Sequence, residues 1–231
     1  NNNSLINKTA ISSFPSLVTA SVSGDTLILN YQPSPNSLEL KKIPGGIYQI
    51  NNSDGLNGHE VAISSFAIAT HETTKGLWDK IYGWAVSNGY SFSNSGTGLG
   101  NNHPVHSINW YDTVKWSNAL SEYEGRVPCY YTDTNLTQIY RSGEVDISNF
   151  MVNWKADGYR LPTEAEWEVA ARGFLVGSKY PWGETPSTTK ANYDLSLIGM
   201  TTPVKSYDAT GRGLYDLGGN LREWTWDWED N

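Results

Sequence analysis

The stretch that decides the fold is Gly213-Leu-Tyr-Asp-Leu-Gly-Gly-Asn-Leu-Arg-Glu-Trp-Thr-Trp-Asp-Trp-Glu-Asp-Asn231. Two acids, Asp216 and Glu223, flank a glycine pair, and tryptophans follow at alternate positions. Acids around glycines are typical of a loop that turns its backbone to hold a hard cation with carboxylate and carbonyl oxygens. Alternating tryptophans are typical of a strand, in which every second side chain faces the same side. The pattern predicts a cation-binding loop that leads into an aromatic strand.

The composition predicts a core of few bulky aromatic residues with long polar loops. The chain has 231 residues, with 10 tryptophans and 14 tyrosines, whereas hydrophobic residues make up only 38%. The formal net charge of -8 argues against a nucleic-acid partner, because phosphate binding needs clustered lysines and arginines. No run approaches the ~18 apolar residues of a transmembrane segment. The single cysteine, Cys129, excludes an internal disulfide.

Local patterns divide the chain into an N-terminal extension or small β arm, residues 1–40, and an α+β domain, residues 41–231. The extension is rich in Asn, Ser and Thr and has one strand-like alternation, at residues 26–31. In the domain, residues 43–50 predict two strands around a glycine bend. Further strands are predicted at residues 66–70 and 130–133.

Three helices are predicted from capping residues and apolar spacing. The first follows Thr73 or Thr74, either of which can cap a helix, and the second begins near Asn109. The third is the clearest, because Thr163 and Glu166 have the spacing of a capping box. Helices, short strands and long irregular loops together indicate an α+β class in which the loops carry the function.

Several motifs, in order, resemble those of the formylglycine-generating enzyme, or sulfatase-modifying factor, family. They are His71-Glu-Thr-Thr74, His103-Pro-Val105, Ile108-Asn-Trp-Tyr-Asp112, Gly158-Tyr-Arg-Leu-Pro-Thr-Glu-Ala-Glu-Trp-Glu-Val-Ala-Ala-Arg-Gly173, Tyr180-Pro-Trp-Gly183 and Gly213-Leu-Tyr-Asp-Leu-Gly-Gly-Asn-Leu-Arg-Glu-Trp224. The resemblance runs from about Ile43 to the end of the chain and implies a variant of the C-type lectin fold. That fold hosts unrelated functions, so the family does not by itself decide what this chain does.

The family includes copper-using oxidases, iron-dependent oxidases and non-catalytic binding proteins. Among the last are the variable proteins of diversity-generating retroelements. Trp116-Ser-Asn-Ala-Leu-Ser-Glu122 followed by Tyr130-Tyr-Thr-Asp133 is similar to bacterial surface members of that kind. The resemblance therefore implies a surface binding protein more strongly than an oxidase.

The resemblance also implies a structural calcium ion in the closing stretch. Family members supply a side-chain oxygen, two main-chain carbonyls and a glutamate there. The matching positions here are Asp216, Gly219, Leu221 and Glu223. Calcium takes six to eight oxygens of this mixed kind. The alternative is a plain tight turn with solvated acids.

A second calcium site would use the Asn192 side chain and the Tyr193 carbonyl as partial ligands. The family pattern also needs a later acid and carbonyl, and neither has a counterpart that can be placed in this chain. The resemblance thus supports this second site more weakly than the first.

Catalysis by the family's copper chemistry is not supported by this chain. The oxidase binds copper with two cysteines in a segment after the final tryptophan strand, and Cys129 lies well upstream of that position. Iron-dependent relatives need a histidine pair and a carboxylate. The four histidines, His59, His71, His103 and His106, do not show that arrangement. A metal site made by His103 and His106 alone stays open.

The aromatic stretch is a candidate ligand-binding surface. In a strand, Trp224, Trp226 and Trp228 would share one face with Arg222 and form a stacking platform for a sugar or a peptide. Packing in the core is the alternative, and it is favoured most for Trp224.

The first functional hypothesis is therefore a non-catalytic protein that binds a protein or glycan ligand on a calcium-supported C-type lectin scaffold. It would be exported to the bacterial surface, with a lipid anchor upstream of residue 1. The ligand face would lie beyond Trp228, and the domain would be truncated at its C-terminus. The alternative is a formylglycine-generating oxidase whose cysteine pair lies in an absent C-terminal segment.

Overall fold

The computed structural model describes residues 17–23, 26–32, 38–50, 59–172 and 178–227. Its strands form two-stranded sheets. The chain divides into two units, Asn1–Ser37 and Leu38–Asn231. In the first unit, β1 (Leu17–Ser23) pairs antiparallel with β2 (Thr26–Gln32). The sequence predicted the second of these strands and did not reveal the first.

The second unit begins with four short strands in two separate pairs. β3 (Leu40–Ile43) pairs with β6 (Phe66–Ala69), and β4 (Gly46–Ile50) pairs with β5 (His59–Ile63), both antiparallel. The predicted glycine bend lies between β3 and β4, but these two strands pair with β6 and β5, respectively, and not with each other. A Cβ at Gly45 would lie 2.8 Å from the Ser65 amide nitrogen, so the bend leaves no room for a side chain.

The three predicted helices are present and begin at their predicted caps. They are α1 (Lys75–Ser87), α2 (Trp110–Tyr123) and α3 (Glu164–Arg172). Thr74 caps α1 by accepting from the Leu77 amide at 3.2 Å. Asn109 caps α2 by accepting from the Asp112 amide at 2.8 Å. Across the described residues, no helix is long and apolar enough to span a bilayer.

The core between α1 and α2 is organised by two tryptophans. Trp78 and Trp116 stack with ring centroids 5.4 Å apart and planes 3° from parallel, and Trp116 Nε1 donates to the Trp78 carbonyl at 3.2 Å. Aliphatic and aromatic side chains from both helices and the following loops fill the space around this pair: Leu77, Ile81, Ala85, Tyr90, Val105, Ala119 and Leu120.

A second core contains the predicted strand at residues 130–133, and this strand prediction is wrong. Tyr130 and Tyr131 make only isolated bridges, to Val152 and Ile139, and a buried side-chain amide of α2 bonds to backbone groups of this segment. Asn118 Nδ2 donates to the Tyr130 and Tyr140 carbonyls at 2.8 and 3.2 Å. Its Oδ1 accepts from the Cys129 and Tyr130 amides at 3.1 and 3.0 Å.

A third core joins the strands to α3 and the closing stretch. Val169 and Ala170 of α3 pack with Ile43, Ile50 and Leu214. Leu214 opens the stretch that carries the predicted cation loop. This packing fixes where that loop begins relative to α3.

The capping box of α3 is extended by an arginine. Glu166 Oε2 accepts from the Thr163 amide at 2.9 Å, and the Glu166 amide donates to Thr163 Oγ1 at 3.1 Å. Arg160 donates to both Glu166 oxygens at 2.7 Å. Burial alone would raise the pKa of Glu166, but the hydrogen bonds from Arg160 and Thr163 hold it below its usual value.

We expect Glu166→Gln to lower the free energy of unfolding at pH 7 by about 2 kcal/mol, because a bidentate ion pair that is largely shielded from water is lost. A carboxyl with a lowered folded-state pKa stabilises the fold above its unfolded pKa and loses that contribution as pH falls through the folded pKa. The difference between variant and wild type should therefore shrink below about pH 4.5.

Urea unfolding at pH 7, 5 and 3 measures this effect. Glu164→Gln, the same change at an exposed first-turn position, is the control and should change stability by no more than about 0.5 kcal/mol. A deficit of Glu166→Gln that is as large at pH 3 as at pH 7 would contradict the assignment.

Candidate cation loop and aromatic face

The predicted cation loop, residues 216–223, is an irregular turn with two left-handed residues. Asp216 and Asn220 have φ values of 64° and 67°. The Gly219 amide donates to the Asp216 carbonyl at 3.2 Å, and the Leu221 amide donates to the Gly219 carbonyl at 3.0 Å. Asp and Asn tolerate left-handed backbone better than most residues, so the sequence suits this turn.

The glycine pair is needed for space and not for its backbone angles. Positive φ falls on Asp216 and Asn220, and neither glycine adopts it. A Cβ at Gly218 would lie 2.4 Å from the Trp182 ring. A Cβ at Gly219 would lie 2.3 Å from the Asn192 carbonyl oxygen. The pair lets the loop press against two preceding segments.

Three acids belong to the loop or contact it. Asp216 Oδ2 accepts from the Lys205 amide at 2.8 Å, while its Oδ1 is buried with no hydrogen-bond partner among the described residues. Glu223 Oε2 accepts from Trp167 Nε1 at 3.0 Å. Glu72 accepts from Asn220 Nδ2 at 2.7 Å and from the Leu221 amide at 2.9 Å. Sequence reasoning gave Glu72 no role, although it lies in a family motif.

The surroundings of the three acids disfavour their ionised forms. Burial, then the charges of Glu223 and Asp216, raises the pKa of Glu72 to about 9 despite its hydrogen bonds. Glu223 is exposed as a residue, but its carboxyl group is crowded, and this burial together with Asp216 raises its pKa to about 7. Burial also raises the pKa of Asp216. Each carboxylate is therefore costly to ionise without a positive charge nearby.

The donor set fits calcium only if main-chain oxygens take part. Among the described residues, no group of three or more His, Cys, Asp or Glu side chains is arranged to hold a metal ion. Asp216 and Glu223 supply two carboxylates, so the Gly219 and Leu221 carbonyls would have to complete the shell. The unpartnered buried oxygen of Asp216 fits such a role, because a buried acceptor without a donor is costly.

The second predicted calcium site has protein partners at its side-chain oxygen. Asn192 Oδ1 accepts from Ser196 Oγ at 2.7 Å, and Asn192 Nδ2 donates to the Met200 carbonyl at 2.9 Å. The Tyr193 carbonyl accepts from the Ser196 amide at 2.7 Å. The local loop thus engages both predicted ligands, and a cation there stays a prediction without a supporting feature.

The aromatic stretch is not a strand over its described part, residues 221–227, so that prediction is wrong. It has no partner strand, and the Trp226 amide donates to the Pro162 carbonyl at 2.8 Å instead. Trp226 is 6% exposed and lies between Tyr130, Trp110 and Trp154, with ring centroids 5.4, 5.5 and 5.8 Å away. It is therefore a core side chain, which corrects its assignment as a ligand contact.

The exposure of the neighbouring side chains is the reverse of the sequence expectation. Trp224, for which packing was most favoured, is 48% exposed and donates through Nε1 to the Ile108 carbonyl at 3.3 Å. Arg222 is exposed. Trp228 lies outside the described residues. Of the candidate ligand contacts in the described part of this stretch, Arg222 and Trp224 are therefore the ones that a ligand can reach.

The remaining candidate metal and redox groups make ordinary structural contacts. His103 Nδ1 lies 3.0 Å from Thr201 Oγ1, and His106 Nδ1 lies 2.9 Å from Thr97 Oγ1. His71 Nδ1 lies 2.8 Å from the Glu72 carbonyl oxygen. Cys129 is buried, and this burial raises the pKa of its thiol to about 11, which disfavours the reactive thiolate.

Solved structures with the same architecture define the class of protein. The structure of CarF superposes with a TM-score of 0.68 at 28% identity, covering 82% of this chain and 80% of CarF. Treponema denticola variable protein 1 superposes with a TM-score of 0.67 at 26% identity, covering 93% of this chain and 78% of that protein. The fold is a formylglycine-generating-enzyme-like variant of the C-type lectin fold, as the motifs predicted.

Sequence comparison then places the chain in a family. Residues 30–231 match the sulfatase-modifying factor enzyme 1-like domain, and the chain belongs to this family. It is 31% identical to the chaperone protein LppX of Paenibacillus barcinonensis over 241 residues, which covers 96% of the chain and 80% of LppX. It is 44% identical to the formylglycine-generating enzyme of Streptomyces coelicolor over 88 residues, but this match covers only 31% of the chain and 27% of the enzyme.

Proposed function

We propose that the protein is a non-catalytic ligand-binding protein whose closing loop holds a structural calcium ion. The observation that carries the binding role is a similarity of fold, because 93% of this chain superposes on Treponema denticola variable protein 1. Cys129 is buried in the second core with a raised pKa, which disfavours its use as a soft thiolate ligand for copper. The similarity to a treponemal variable protein supports a binding role.

The proposed calcium ion would be held by the Asp216 and Glu223 side chains and by the Gly219 and Leu221 carbonyls. Its role would be structural, because it neutralises buried carboxylates whose pKa values are raised. Glu72 would not bind the ion directly, since its oxygens accept from Asn220 and the Leu221 amide. A bound ion would fix the start of the aromatic stretch that follows the loop.

The ligand face would begin at Arg222 and Trp224, and the part expected beyond Trp228 lies outside the described residues. An exposed indole and an exposed guanidinium two positions apart in the sequence provide apolar stacking area and hydrogen-bond donors, which suits a glycan or a protein surface. Trp226 would support this face from below by its packing in the second core. The proposal includes diversification of this face by a retroelement and export to the bacterial surface with a lipid anchor.

The alternative is a formylglycine-generating oxidase that uses residues outside this sequence. The local match to the Streptomyces coelicolor enzyme supports this second candidate. An activity assay on the full-length natural protein separates the two.

We expect no conversion when the full-length protein is incubated with copper, oxygen and a peptide that carries the cysteine motif of a sulfatase. Mass spectrometry of the peptide is the measurement, and the Streptomyces coelicolor enzyme is the positive control. Formation of the peptide aldehyde by the protein under study would overturn the non-catalytic proposal.

A further inference from the structure

A loop with exposed apolar side chains, residues 192–202, lies beside the proposed calcium loop. Leu195, Leu197 and Met200 are 66%, 89% and 62% exposed. Because these side chains are not packed, the shape of the loop depends on polar contacts. Within the loop, the Asn192 side chain accepts from Ser196 Oγ and donates to the Met200 carbonyl.

Asn220 holds both ends of the apolar loop. Its backbone amide donates to the Asn192 carbonyl at 2.7 Å, which fixes the first end of the loop. Its Oδ1 accepts from the Thr202 amide at 2.9 Å, and its Nδ2 donates to the Thr202 carbonyl at 3.1 Å, which fixes the second end. The same Nδ2 donates to Glu72 Oε2 at 2.7 Å, so the residue is also tied to a buried acid.

The position of Asn220 in the chain joins this arrangement to the cation. Asn220 lies between Gly219 and Leu221, the two residues whose carbonyls are proposed as ligands. Its backbone is left-handed, with φ of 67°, a conformation that costs free energy for a residue other than glycine. An ion that holds both neighbouring carbonyls would stabilise this conformation and, with it, the contacts to both ends of the apolar loop.

We infer that calcium bound at residues 216–223 orders the apolar loop through Asn220, so that the display of Leu195, Leu197 and Met200 is regulated by calcium. This inference rests on the proposed calcium site. The coupling is reciprocal: if calcium favours the ordered loop, then loss of the ties from Asn220 weakens calcium binding by the same factor.

Hydrogen exchange of the wild-type protein tests the coupling directly. With about 5 mM calcium, above the dissociation constants of extracellular calcium modules, amides of residues 194–201 should exchange about tenfold more slowly than in chelator. Amides of the exposed turn at residues 133–137 should exchange equally in both conditions, because they exchange by local opening away from the calcium loop. Calorimetric titration of the same sample with calcium is run in parallel.

The two failures are distinguishable. Absence of calcium binding in the titration overturns the calcium site and this inference together. Calcium binding without slower exchange at residues 194–201 overturns the coupling alone. The wild-type comparison therefore decides the question without any variant.

Asn220→Gly gives a second arm, since glycine accepts the left-handed backbone but lacks the side-chain ties. We expect fast loop exchange with and without calcium, and calcium binding about tenfold weaker than wild type. Asn88→Gly is the control, because the hydrogen bond described for the Asn88 side chain is to the Trp84 carbonyl, within α1. It should retain wild-type calcium affinity and the wild-type slowing of loop exchange by calcium. Wild-type behaviour of Asn220→Gly would overturn the role of this residue.

Discussion

Replacing Asn118 with leucine is expected to lower the free energy of unfolding by about 4 kcal/mol, the largest effect predicted for this chain. Asn118 is fully buried in α2 and makes hydrogen bonds with four backbone groups. Leucine has a similar volume but leaves the Cys129 and Tyr130 amides and the Tyr140 carbonyl without this partner. Buried polar groups left unpaired each cost about 1–3 kcal/mol.

The loss of these hydrogen bonds would also disturb the proposed ligand face, because Tyr130 and Tyr140, which Asn118 holds, pack in the same core as Trp226. Thermal unfolding followed by circular dichroism should show a melting temperature about 10 °C lower than wild type. Asn101→Leu makes the same change at an exposed position and should shift it by no more than about 2 °C. An equally small shift for Asn118→Leu would show that the buried amide does not organise this core.

The second large effect is expected for Gly219→Ala, at about 3 kcal/mol. The added methyl would lie 2.3 Å from the Asn192 carbonyl oxygen and 3.3 Å from the Ala191 Cβ. The first neighbour is backbone and cannot rotate away, so either the cation loop or the segment at Asn192 must move. The Asn220 amide bond to that same carbonyl would be distorted at the same time.

Urea unfolding of Gly219→Ala measures this loss, and Gly83→Ala is a matched control with the opposite expected sign. Gly83 lies on the exposed side of α1 with open space around its Cβ position, so alanine there should stabilise the protein by about 1 kcal/mol through helix propensity. Unchanged stability of Gly219→Ala would mean that the loop does not press against Asn192 as described.

Local sequence signals were sufficient for the helices and for the family. The caps at Thr74, Asn109 and Thr163 depend on bonds to residues three positions away, so a reader of the sequence can recognise them. The cation loop was predicted through its family motif, and the structure adds a buried oxygen of Asp216 that no described group satisfies.

Long-range contacts explain what the sequence did not reveal. Glu72 accepts a hydrogen bond from Asn220, which is 148 positions later in the chain, and no local sequence pattern predicts that contact. Alternation at Trp224 and Trp226 predicted a strand, but a strand needs a partner, and the described part of this stretch has none. The polar character of Asn118 is equally uninformative until the backbone groups of Tyr130 and Tyr140 are brought to it.

The proposed calcium loop is the central claim, because it would link the family motif, the buried acids and the start of the proposed ligand face. Differential scanning calorimetry in calcium and in chelator tests it most directly, with wild type, Glu223→Gln and Glu184→Gln compared. Glu184 is an exposed acid outside the loop, so its variant controls for the change in net charge.

At a calcium concentration about 100 times its Kd, a bound ion would stabilise the folded state by about 2.7 kcal/mol, which corresponds to a rise in Tm of about 8 °C. We predict this rise for wild type and Glu184→Gln, and a clearly smaller rise for Glu223→Gln. Equal melting temperatures of the wild type in calcium and in chelator would contradict the account.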